Sequence, residues 1–249
     1  MRRPDIALID GWGLGSAIWE PVLAPLAQRC RVHLIDLPGY AEAPDDTRDF
    51  TQAAQTMLDF LPTGVTLCGW SLGSMLALRA ASLAPQRIEG LILIGGTPSF
   101  TQRIDWPYAQ PPALLDTFGD ALARDAAGTL QRFIALLNQG DAQARPLARA
   151  MLKQLPAARL PDTATLLAGL GWLRDVDLRA QAPSIGTPTL LIHGERDPLM
   201  PLPAAQWLAE RLPQARLEIF AGAAHAPFLA DPERFATLVG DFCHAPAAR

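Results

Sequence analysis

Six short apolar runs, spread along almost the whole chain, constrain this sequence more than any other feature. They occupy residues 6–9, 32–35, 65–68, 91–94, 189–192 and 217–220. Each is nearly continuous in apolar residues and none alternates with polar ones. That is the pattern of parallel strands buried on both faces, not of strands with one wet side. Helical patterns lie between them, at 19–27, 51–61, 74–84, 204–212 and 232–242. Asp231 ahead of Pro232 and Glu233 reads as a capped start of the last one. Strand and helix in alternation predict an α/β fold with a mostly parallel, doubly wound sheet. A length of 249 residues suits one such unit with an insertion.

The alternation breaks once. Between residues 99 and 182 only helical patterns recur, at 113–126, 129–138, 147–155 and 162–173, with Pro107, Pro111, Pro112, Pro156, Pro161 and Pro183 as punctuation. The expectation is a helical cap over 99–182, inserted into a core made of 1–98 and 183–249.

Composition narrows the function. Hydrophobic residues at 49% against 18% charged exclude a disordered chain. A net charge of -4 offers no global nucleic-acid footprint. No apolar stretch approaches the roughly 18 residues of a membrane span. The apolar run behind Arg2 and Arg3 is cut by Asp10, too soon for a signal peptide. Cys30, Cys68 and Cys243 are odd in number and lack metal-ligand spacing. The expectation is a cytoplasmic monomer with no metal, no cofactor, and neither nucleic acid nor membrane as partner.

The sharpest motif is Gly69-Trp70-Ser71-Leu72-Gly73. It follows a buried strand run and precedes a helix, the context in which G-x-S-x-G forms a strained elbow that exposes a serine. Ser71 is thus the candidate nucleophile. The Leu72 amide, at the start of the helix, faces the place where an oxyanion would form. A serine nucleophile needs a base, and the base an orienting carboxylate. Of four histidines, His33 and His193 lie in strand runs and His244 in the C-terminal tail. His225 sits in the loop after the last strand and is the natural base. Asp197, directly after the fifth strand, is the candidate acid, with Glu195 as rival; Asp175 and Asp177 come too early. The second oxyanion donor should come from the loop after the first strand, Asp10-Gly11-Trp12-Gly13-Leu14-Gly15, through the Trp12 amide.

With these residues in place the chain resembles the α/β-hydrolase superfamily over its whole length. More closely it resembles the pimeloyl-[acyl-carrier protein] methyl ester esterases of biotin synthesis. The matching segments are Gly11-Trp12-Gly13-Leu14 with Trp19, Leu34-Ile35-Asp36-Leu37-Pro38-Gly39, and the Trp70-containing elbow. Arg132-Phe133-Ile134-Ala135-Leu136, Val176-Asp177-Leu178-Arg179 and Ala223-Ala224-His225-Ala226-Pro227-Phe228 continue the match. The resemblance implies a serine carboxylesterase whose substrate is a pimeloyl methyl ester on acyl carrier protein. It implies that Trp12, Ser71, Leu72, His225 and the segment Phe133, Ile134, Ala135, Leu136 and Leu137 line the acyl site. It also implies that Arg132, Arg145 and Arg149 meet the acidic carrier. Residues 132–159 hold five basic residues (Arg132, Arg145, Arg149, Lys153, Arg159) and one acid, Asp141, a local +4 in a chain of net -4. Such a stripe suits an acidic partner, and equally an ordinary solvated helix face. The chain departs from the family pattern at Asp10, where His is usual, at Tyr40-Ala41-Glu42-Ala43 after Pro38-Gly39, and at Gly128, where a further Arg is common. A broad short-chain carboxylesterase without a carrier partner, and a non-catalytic binding protein of the same fold, are the competing readings.

Overall fold

The structure is a computed structural model and describes residues 3–40, 49–155 and 161–245. Its centre is a six-stranded sheet: β1 (Asp5–Ile9), β2 (Arg31–Ile35), β3 (Val65–Trp70), β4 (Ile88–Ile94), β5 (Thr189–Gly194) and β6 (Ala215–Phe220). The spatial order is β2-β1-β3-β4-β5-β6 and every pairing is parallel. Each sequence run falls inside one strand. β3 and β5 are buried at every residue, while the edge strands β2 and β6 are partly exposed.

The chain first steps from β1 to β2, then reverses to β3 on the other side of β1. Right-handed crossovers therefore send α1 (Glu20–Arg29) to one face and α2 (Phe50–Asp59) and α3 (Leu72–Leu83) to the other. α1 packs on the last helix, α10 (Pro232–His244), and α2 packs on α3. α8 (Leu202–Arg211) links β5 to β6. A four-residue helix, α9 (Pro227–Ala230), lies where the sequence suggested a plain loop; one turn is too short to show a helical period.

Register decides where chemistry can happen. Ile9 stands opposite Gly69, Trp70 opposite Ile94, and Ile94 opposite Ile192. The carboxyl ends of β1, β3, β4 and β5 are thus level, and the loops beyond them meet above one sheet edge. In open α/β sheets ligands bind at that edge, near the strand-order reversal.

Between β4 and β5 come α4 (Pro112–Arg124), α5 (Ala126–Leu137), α6 (Ala144–Gln154) and α7 (Thr163–Asp175). Asp125 and Asp162 cap α5 and α7, accepting from the Gly128 and Thr165 amides at 2.9 and 2.8 Å. The two ends of this insertion meet: Ser99 bridges Asp177, and the Leu178 amide donates to the Pro98 carbonyl at 2.8 Å. Asp177 also pairs with Arg179 and Arg103 at 2.7 and 3.3 Å. Phe133, Ile134, Leu137 and Leu166 join one continuous buried cluster with the sheet residues. Among the described residues no helix is long and apolar enough to cross a membrane.

Candidate active site

Ser71 caps α3 with φ 57° and ψ -120°, the only non-glycine residue at positive φ among the described residues. Such a conformation costs about 1–3 kcal/mol and survives only where its surroundings enforce it. The flanking glycines make the enforcement possible. A Cβ on Gly69 would lie 2.2 Å from the Gly73 carbonyl oxygen, and one on Gly73 would lie 2.4 Å from that of Asp10. The Ser71 amide donates to the Ile94 carbonyl at 2.9 Å, and the Ser74 hydroxyl to the Ser71 carbonyl at 2.6 Å.

Three side chains form an unbroken relay. His225 Nε2 lies 2.8 Å from Ser71 Oγ, and His225 Nδ1 lies 2.7 Å from Asp197 Oδ2. With Nδ1–H donating to the carboxylate, Nε2 accepts the serine proton. The other Asp197 oxygen accepts from the Leu199 and Met200 amides, both at 2.9 Å. Burial alone would raise this carboxyl. The facing His225 and its hydrogen bond, His193 and the Met200 amide outweigh burial and hold Asp197 below the usual carboxylate range. His193 Nε2 donates to the Met200 carbonyl at 2.7 Å and stands 3.6 Å from Asp197 Oδ2. Burial pushes its imidazole below the ordinary value. The sequence offered no sign of this second histidine beside the acid. The rivals are occupied elsewhere: Glu195 accepts from the Gly222 amide, His33 pairs with Asp5, and His244 bonds within α10.

The histidine loop is held from two sides. The Trp70 indole donates to the His225 carbonyl at 2.8 Å. From the insertion, the Leu137 carbonyl accepts from the His225 amide at 3.2 Å, and Asp141 Oδ2 from the Ala224 amide at 2.7 Å. Asp141 is the one acid in the basic stretch, and nothing in its sequence neighbourhood marks this role.

The loop after β1 turns through Gly13 (φ 84°) and Gly15 (φ 71°). The Gly13 amide donates to the Tyr40 hydroxyl at 2.8 Å, so Tyr40, one of the departures from the family pattern, holds this turn. Among the described residues neither the Trp12 amide nor the Leu72 amide has an acceptor within the protein. Leu72 follows Ser71 directly, and Gly11, next to Trp12, packs against the Ser71 side chain, so these two amides are the candidate donors of an oxyanion hole. The Trp12 indole donates to the Leu166 carbonyl at 2.8 Å, and its ring meets Phe133 edge-on at 4.9 Å. A cavity of about 290 Å³ opens beside Leu72, lined also by Leu37, Tyr40, Leu167 and Trp172.

Helix α5 does not bring all five of its expected lining residues to one side. Phe133 packs on Trp12, Leu137 meets the histidine loop and Ile134 is fully buried. Leu136 is half-buried, and Ala135 is exposed on the side of α5 opposite Phe133 and Leu137. Arg132 is exposed and donates to Thr129 Oγ1 at 2.9 Å. Arg145, Arg149 and Lys153 are exposed along α6, with no ion pair among the described residues. Pro146 does not break α6, because it falls in the first turn, where a missing amide costs nothing. Arg159 lies outside the described residues.

A family model of the alpha/beta hydrolase fold matches residues 6–232. A pimeloyl-[acyl-carrier protein] methyl ester esterase from Nitrosomonas europaea is 42% identical over 234 residues, covering 93% of this chain and 92% of its own. Another protein of that name, from Aromatoleum aromaticum, is 41% identical over 246 residues, covering 97% and 98%. Among solved structures, an esterase from Exiguobacterium antarcticum superposes with a TM-score of 0.87 at 25% identity, covering 98% of this chain and 94% of its own. A bromoperoxidase from Bacillus anthracis reaches the same TM-score at 22% identity and attests the shared fold. The chain therefore belongs to the α/β-hydrolase family, in the group of its pimeloyl-[acyl-carrier protein] methyl ester esterases.

Proposed function

We propose that the protein is a serine carboxylesterase that hydrolyses the methyl ester of pimeloyl-[acyl-carrier protein], in biotin synthesis. The observation that carries this is the unbroken relay from Ser71 through His225 to Asp197, at 2.8 and 2.7 Å. The relatives' shared name supplies the substrate.

Ser71 Oγ attacks the ester carbonyl carbon as its proton passes to His225 Nε2. The carbonyl oxygen gains negative charge and turns to the Trp12 and Leu72 amides, which are preorganised to receive it. Asp197 keeps Nδ1 protonated and stabilises the imidazolium without itself taking the proton. The tetrahedral intermediate collapses, and His225 gives its proton to the leaving methoxide, releasing methanol. Water then attacks the acyl-serine with His225 as base again, freeing the carboxylate and restoring Ser71.

In this reading residues 99–182 form the cap over a core of 1–98 and 183–249. Trp12, Leu72, Phe133 and Leu137 border the acyl site. Arg132, Arg145 and Arg149, exposed on two adjacent cap helices, attract the acidic carrier. Ser71→Ala is expected to abolish hydrolysis of p-nitrophenyl acetate; an unchanged rate would remove the catalytic reading. Charge reversal at Arg132, Arg145 and Arg149 is expected to slow the carrier-bound methyl ester and spare the free ester. Equal effects on both substrates would leave a broad esterase without a carrier partner.

A further inference from the structure

Asp10 is the residue of the site with no place in the reaction just described. It ends β1 and opens the turn that carries the Trp12 amide. Its accessible surface is 0%, and neither carboxyl oxygen makes a hydrogen bond of ordinary geometry among the described residues. Its main-chain carbonyl lies against Gly73, where even a methyl group would come within 2.4 Å. The nucleophile elbow and the Trp12 turn therefore touch through Asp10.

A buried carboxylate without a charged partner is far more costly than a buried neutral acid. The ionisable groups facing Asp10, Asp36 and Tyr40, both belong to the chain beyond β2, and neither is a cation. On the α3 side the contact is the glycine backbone of Gly73, which carries no charge. Burial first, and Asp36 second, push the Asp10 carboxyl well above its ordinary range; its own amide and those of Leu37 and Gly15 offset only part of this. The Tyr40 phenol, buried next to Asp10, is pushed up as well. Its hydroxyl is the acceptor for the Gly13 amide. Asp10 and Tyr40 thus form one floor under the turn.

We infer that Asp10 is a positioning residue, kept as an uncharged carboxylic acid so that the Gly11–Gly15 turn holds the Trp12 amide beside Ser71. Ionising it would draw water or a cation into the floor and move that amide. The positioning half rests on the esterase reading above; the protonation half does not.

The two halves separate in experiment. A folded-state pKa raised above the unfolded value of about 3.9 means that the folded form holds the proton longer. Stability then falls as pH rises from there toward the folded value. Asp10→Asn keeps the shape without the proton, so it escapes that loss. Its melting temperature is expected to match the wild type near about pH 4 and to exceed it by on the order of 5 °C near about pH 8. Asp10→Ala is expected to lower kcat on p-nitrophenyl acetate about tenfold with KM unchanged, because an oxyanion donor acts only in the transition state. Asn is expected to restore that rate. A stability difference independent of pH overturns the uncharged acid, and an Asn variant as slow as Ala overturns the positioning. A wild type inactive on every ester would sink the esterase reading alone, since the melting comparison needs no activity.

Discussion

Two loops at the same sheet edge each carry a buried aspartate, and the two are opposites. The Asp197 side chain, after β5, gives one oxygen to two amides and the other to His225. The Asp10 side chain, after β1, has no such partners. Both are shut away from water, yet one is held below the ordinary carboxylate range and the other pushed well above it. Partners, and not depth, decide which buried acid is charged. In the proposed reaction the charged one faces the imidazolium, and the uncharged one lies under the turn that carries the Trp12 amide.

The sharpest way to break this contrast is to remove the charge at Asp197. Asp197→Asn is expected to cost about 10⁴ in kcat on p-nitrophenyl acetate, because an amide favours the wrong imidazole tautomer, with the circular dichroism spectrum unchanged. A loss below tenfold would show that Asp197 is not the orienting acid. The next effect tests the support of that half of the site from the insertion. Asp141→Ala removes the acceptor of the Ala224 amide and is expected to lower kcat about tenfold. The folded state should lose about 1–2 kcal/mol in urea denaturation. The smallest effect lies on the opposite side. Tyr40→Phe removes the acceptor of the Gly13 amide and is expected to lower kcat a few-fold at unchanged KM. Steady-state kinetics on one free ester ranks all three, and a Tyr40 effect larger than that of Asp197 would invert the comparison.

Much of this is legible in the amino-acid sequence. The apolar runs gave all six strands, because a strand buried on both faces needs an unbroken run. Ser71, His225 and Asp197 followed from where those strands end, since the fold uses loops at one edge only. The unread parts share a physical cause. The Asp141 contact with Ala224, the Trp70 contact with His225 and the Tyr40 contact with Gly13 join residues 27 to 155 positions apart, and no local period encodes such a meeting. The resemblance brings Ala135 into the lining as part of a continuous segment, whereas a helix shows only part of its circumference to a neighbour.

The bonds from the insertion to the histidine loop also constrain how a substrate reaches Ser71. The corner between α5 and α6 supplies the Leu137 carbonyl and the Asp141 carboxylate that hold residues 224 and 225. Breaking this corner away would remove both acceptors from the histidine loop. The cavity beside Leu72 is lined by Leu37, Tyr40, Leu167 and Trp172, none of which takes part in those bonds. The same two bonds therefore fasten the insertion to the loop that carries His225, so the place of the base depends on residues far from it in the chain.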